Sequence, residues 1–77
     1  MLQDLIEDTD RTRPDSPAWK LDRLLGAAHA SLLEARDGGG TAAIHDARRR
    51  LDACVVLVVE LRAAVQAVEY GDPAVEA

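Results

Sequence analysis

Apolar residues recur along this chain at helical spacing. In the first half they fall at Ala18, Leu21, Leu25, Ala28, Leu32 and Ala35. The steps alternate between three and four residues, which is the seam of a packed helix. In the second half the same alternation runs through Ile44, Ala47, Leu51, Cys54, Val58, Leu61, Val65 and Val68 without a break. Inside that stretch lies a continuous apolar run, Cys54-Val55-Val56-Leu57-Val58-Val59. Wound as a helix, such a run is apolar on every side and needs cover on more than one of them.

The punctuation agrees with two helices. Ser16 is a good N-cap residue, and Pro17 suits the first helical position, where no amide donor is needed. Asp37-Gly38-Gly39-Gly40 closes the first helix, and Thr41 is the expected cap of the second. Gly71, followed by Asp72-Pro73, stops the second helix. The expected organisation is a helix over 17–37, a glycine loop at 38–40 and a helix over 41–70. Residues 1–16 form an acidic N-terminal arm, with a short helix over 1–8 and a polar linker after it. Residues 71–77 form an acidic tail. A buried strand over 53–59 is the competing reading, because valine favours strands. Its borders, Arg48-Arg49-Arg50 and Glu60-Leu61-Arg62, lack turn residues, and the helical period continues through both.

A short glycine loop between two seamed helices makes an antiparallel hairpin. The second helix is the longer, so Val65 and Val68 overhang, and Leu2, Leu5 and Ile6 of the arm are their expected cover. The hairpin seam uses Cys54 and Val58 and leaves Val55, Val56, Leu57 and Val59 pointing elsewhere. The expected fold is therefore all-α: an antiparallel helical hairpin, completed into a four-helix bundle by dimerisation. Interface candidates are Val55, Val56, Leu57 and Val59, with Leu24, which widens the first stripe, and Trp19, a side chain favoured in binding hot spots.

Size strengthens this expectation. A chain of 77 residues makes one small domain, and small folds need a staple. The single Cys54 cannot close an internal disulfide, so oligomerisation is the expected staple. No stretch reaches the ~20 apolar residues of a membrane span, and acids begin at Asp4. A soluble, cytoplasmic protein is expected.

The net charge of −5 is uneven. Residues 1–16 carry five acids and two bases, residues 17–70 are balanced, and the tail adds Asp72 and Glu76. Acidic ends on a neutral body argue against nucleic acid as a partner. With only Trp19 and Tyr70 there is no stacking platform for single strands. Arg48, Arg49 and Arg50 form the one dense basic patch. They are candidate charged contacts for an acidic partner, or a solvated face paired with Asp46 and Asp52. Adjacent arginines point in three directions, so they make no flat phosphate-binding stripe.

Chemistry finds little support. His29 and His45 lack the Glu-x-x-His spacing that metal sites in helical bundles use. The glycine loop lacks the strand before it and the Lys-Ser/Thr after it that a phosphate loop needs. Ser31 and Thr41 have no base beside them. No catalytic, metal or cofactor residue is expected, and the protein is not read as an enzyme.

Three further features are Ser16-Pro17 opening a leucine-rich helix that ends near Ala35-Arg36, the stretch Val59-Glu60-Leu61-Arg62-Ala63-Ala64-Val65, and Tyr70-Gly71. In these, residues 16–77 resemble the early helices of flagellar export chaperones that bind flagellin. The Leu-Tyr-Asp-Gly stretch usual in that family is replaced by Leu24-Leu25-Gly26-Ala27, and its later helices are missing. The resemblance implies a helical binder of another protein.

The expected function is protein–protein contact by helix packing, as an adaptor, a chaperone-like binder or an inhibitor or regulator of a larger protein. Its partners are a second copy of itself and another protein, with neither nucleic acid nor membrane. Small phage regulators and small bacterial helper proteins share this profile. The alternative is a subunit whose ligand or catalytic site forms only across an oligomer interface, where His29, His45 or the arginines would converge.

Overall fold

The computed structural model describes residues 2–71, and all of its regular elements are helical. Helix α1 spans Leu2–Asp8, α2 spans Pro17–Glu34 and α3 spans Gly40–Gly71. A five-residue turn, Ala35–Gly39, with non-helical backbone at Gly38, joins α2 to α3. The acidic tail after Gly71 lies outside the described residues. Among the described residues no strand occurs, so the valine run is helical throughout.

Local chemistry sets these boundaries. The Ser16 hydroxyl accepts from the Trp19 amide at 3.0 Å, with Pro17 in the first turn. This is the anticipated cap, satisfying one of the open amide donors of the helix start. At the other end Gly38 takes φ 114°, a region that side chains avoid. Gly39 is required for a different reason. A Cβ there would lie 2.9 Å from the Glu34 carbonyl oxygen. Gly40, the first residue of α3, takes φ 63° and ψ −148°, outside the helical region, so regular winding begins beyond it, next to the expected cap Thr41.

Residues 9–16 are more ordered than a polar connector suggests. The Asp10 carboxylate accepts from the Thr12 amide at 2.9 Å and from the Thr12 hydroxyl at 2.6 Å. Those two bonds hold its carboxyl below the usual carboxylate range. The Ser16 hydroxyl also donates to the Asp10 carbonyl at 2.7 Å. Arg13 reaches back to Glu7 at 3.1 Å. Asp15 takes a positive φ of 67°, which Asp tolerates better than most residues. The segment thus turns the chain sharply between α1 and α2.

α2 folds back along α3, and α1 packs on the far end of α3. The molecule measures 56 × 21 × 13 Å. Its thinnest dimension is about one helix diameter. The hairpin is therefore a single layer of helices, with no second layer to bury a large side chain.

Burial follows from that shape. The buried apolar residues are Ala28, Ala43, Ala47, Cys54 and Val68. Every leucine and isoleucine of the described chain keeps part of its surface in water. Small residues line the contact, so the two helices can approach closely. On α3 the inward positions are Ala43, Ala47, Arg50, Cys54, Leu57, Leu61, Ala64 and Val68, all buried or half-buried. On α2 they are Leu21, Leu24, Ala28, Ser31 and Ala35.

This seam is rotated from the expected one. Ala47, Cys54, Leu61 and Val68 do face inward. Ile44, Leu51, Val58 and Val65 do not, and all four are exposed. On α2, Leu25 and Leu32 are likewise exposed. The arm covers half of the overhang. Val68 is 6% exposed beside Leu5 of α1, whereas Val65 stays 43% exposed.

Candidate interaction surface

The two sides of the helical layer differ. On one side, Leu24 and Ala27 of α2 share an open groove with Arg23 and Arg50. Leu24 also lines a second shallow groove with Asp46, Arg49 and Ala53 of α3 along the same side. Each helix advances about 100° per residue. Residues on the other side of each core line therefore share the opposite side of the layer. Those are Leu25 and Leu32 on α2, and Ile44, Leu51 and Val58 on α3.

The first side is polar and internally satisfied. Asp46 projects from α3 toward α2, where the Ser31 hydroxyl donates to it at 2.7 Å. Arg50 Nε donates to the same carboxylate at 2.9 Å, and Arg49 at 2.8 Å. These three donors, Arg50 foremost and then Ser31 and Arg49, hold the Asp46 carboxyl well below the usual carboxylate range. The cluster ties the two helices together at a point where a polar group would otherwise face an apolar contact. Nearby, the Arg23 guanidinium lies 4.8 Å from the centre of the Trp19 ring. That stacking shields one face of the indole.

The opposite side carries the larger apolar side chains, with Thr9, Arg11 and Asp22 beside Leu25 at one end. Ile44 is 53% exposed and Val55 59% exposed, and Leu25, Leu32, Leu51 and Val58 are exposed with them. Arg48 lies within this stripe. Among the described residues it makes no ion pair.

The candidate residues separate on this frame. Val55, Val56 and Val59 are exposed. Val55 belongs to the apolar side, and Val56 and Val59 to the outer face of α3. Leu57, Leu24 and Trp19 are half-buried within the hairpin. The three arginines divide as their adjacency requires: Arg49 and Arg50 turn toward Asp46, and Arg48 turns to the apolar side. Cys54 is a buried free thiol. His29 and His45 are exposed and stand apart from the arginine cluster. Among the described residues no group of three His, Cys, Asp or Glu is placed to hold a metal ion. No helix of the described chain is long and apolar enough to cross a membrane.

The Ser31–Asp46 link was not anticipated from the sequence. Its signal was present in part: Asp46 stands three and four residues before Arg49 and Arg50, the spacing of facing pairs on a helix. Ser31 fell outside the expected seam, so nothing placed it opposite Asp46.

No family model, no curated protein and no solved structure matches this chain.

Proposed function

We propose that this protein is a helical interaction module. It acts by presenting the apolar side of its hairpin to other helices, and the hairpin becomes a four-helix bundle when that side is covered. The observation that carries this reading is the composition of the buried core. Three alanines, one cysteine and one valine are all that the layer buries among the described apolar residues. A single-layer hairpin of this size retains little hydrophobic stabilisation by itself. Meanwhile Leu25, Leu32, Ile44, Leu51, Val55 and Val58 share one open side, while Leu2, Ile6, Leu33, Val56, Val59 and Tyr70 are exposed elsewhere. Scattered exposed leucines need no explanation, but a contiguous apolar side marks a contact surface.

The polar side supports the reading from the other direction. Its arginines are engaged with Asp46 and Trp19, so its charges serve the hairpin itself. The acidic arm, on this reading, favours approach to a basic surface of a partner protein.

The test compares Val58→Asp, on the apolar side, with Val56→Asp, on the outer face of α3. Each is immobilised beside the unaltered protein and exposed to an extract of the native host. Capture of specific partners, including untagged copies of the chain, is expected to survive Val56→Asp and to be lost with Val58→Asp. Equal capture by both variants would remove the apolar side from the function.

A further inference from the structure

We infer that the apolar side is closed by a second copy of this chain, with α3 packed antiparallel on its twin about a two-fold axis near Val55 and Val58. This rests on the interaction-module reading and adds its partner and orientation. Three observations lead to it.

The first is the pattern along α3. Its exposed apolar residues Ile44, Leu51, Val55, Val58 and Val65 lie on one stripe. Arg48, Arg62 and Glu69 fill the remaining places, so that the steps from Ile44 to Glu69 alternate between four and three. That is a complete heptad stripe, separate from the one facing α2. It is the form of surface that packs against another helix.

The second is its placement. Val55 and Val58 flank the midpoint of α3, which runs Gly40–Gly71. An antiparallel pair that sets Val55 over the twin's Val58 therefore overlaps the two long helices almost end to end. The exposures of these five residues with Leu25 and Leu32 amount to roughly 600 Å² per copy, so complete cover of them in two copies would bury about 1,200 Å², the lower bound of a stable interface.

The third is charge. In a parallel pair Arg48 would face Arg48, Arg62 would face Arg62 and Glu69 would face Glu69. Each is a like-charge contact that opposes association. In the antiparallel pair Glu69 of one copy lies opposite Ile44 of the other, one helical turn from Arg48. Arg62 crosses Leu51, one turn to the other side of Arg48, so each Arg48 has one acid and one base of the twin beside it in place of an identical charge directly opposite, and the aliphatic stem of Arg62 adds apolar cover. The symmetry makes each favourable contact twice.

Site-directed cross-linking decides the matter. In a Cys54→Ala background, single cysteines are introduced by Val55→Cys and, separately, by Ile44→Cys. Both positions are exposed in the hairpin, and helicity is checked by circular dichroism before use. Each variant is treated with a short bis-maleimide while its mass is followed by sedimentation. The expected result is a dimeric mass for both, with efficient covalent dimer at position 55 and none at position 44. A mixture of Ile44→Cys with Val65→Cys is expected to give a covalent heterodimer. Cross-linking of Ile44→Cys to itself would overturn the antiparallel arrangement in favour of a parallel one. A dimeric mass with no cross-link at position 55 would overturn the α3 pairing while leaving the interaction-module reading intact. A monomeric mass for the unaltered chain at all concentrations would overturn the second copy as the occupant, and Val58→Asp capture would then judge the module separately.

Discussion

Replacing Ala47 by leucine tests the rotation of the hairpin seam. Ala47 is 2% exposed on α3 and Ala28 2% exposed on α2, so both lie where the two helices pack. Helices pack 8–10 Å apart depending on the side chains between them, roughly the lower figure where both are alanine. With Ala47 buried, three extra carbons there press on its packed neighbours. Overpacking of this kind costs about 1–3 kcal/mol. A small domain has roughly 0.05–0.15 kcal/mol of stability per residue, so the loss is a sizeable share of the whole. It should lower Tm by about 4–8 °C per kcal/mol. The control is Ala63→Leu, the same change at an exposed position on the outer face of α3. It should shift stability by no more than about 0.5 kcal/mol. Thermal unfolding by circular dichroism reads both, at one fixed protein concentration because assembly makes Tm concentration-dependent. If Ala47→Leu melted with Ala63→Leu, Ala47 would not lie between the helices and the seam described above would be wrong.

Four further outcomes follow from local geometry. Ser16→Ala removes the hydroxyl that caps α2 and bonds the Asp10 carbonyl; a loss of about 1 kcal/mol is expected in urea unfolding. Gly38→Ala places a side chain at φ 114° and should destabilise by more than about 1 kcal/mol. Gly26→Ala, in the interior of α2 with open space around it, should instead stabilise by about 0.5–1 kcal/mol, and both glycine changes are read by the same thermal scan. For Asp46, whose folded carboxyl is held low by Arg50, Ser31 and Arg49, the stabilisation is complete above the unfolded value of about 4 and is lost as the pH falls below it. Urea midpoints measured from neutral pH downward should therefore fall more steeply for the unaltered protein than for Asp46→Asn, and parallel acid limbs would contradict the role given to this carboxylate.

Much of the fold was legible in the chain. Ser16-Pro17 marked a helix start because capping depends on a local side chain and a missing amide donor. The glycine run marked the turn because only glycine takes the backbone angles found at Gly38. The rotation of α3 was not legible. Ala47, Cys54, Leu61 and Val68 complete a heptad seam equally well with Ile44, Leu51, Val58 and Val65 or with Ala43, Arg50, Leu57 and Ala64. Greasiness favours the first set. The structure uses the second, because alanines permit close approach and Arg50 is neutralised by Asp46, whose other donor, Ser31, comes from the facing helix. That choice depends on contacts between helices, which spacing within one helix does not contain. The order of residues 9–16 was hidden for a related reason. Asp10, Thr12 and Ser16 read as polar connector residues, and the same polar groups bond locally to hold a turn.

The same rotation brought Val55 onto the open side beside Ile44 and Leu51 and left Val56 on the outer face. A continuous apolar run shows that a helix has too many greasy sides. It does not show which of them its own hairpin covers. The structure answers this through the residues that the thin layer leaves out.

Sedimentation equilibrium of the unaltered chain beside Leu51→Asp asks whether two copies close the apolar side. A chain of 8.3 kDa is expected to sediment at twice that mass over micromolar concentrations. Leu51→Asp, which puts a charge on each side of the shared contact, is expected at the mass of one chain with its helicity retained. An unaltered protein that stays at the single-chain mass at every concentration, or a Leu51→Asp variant that still doubles, would contradict the account.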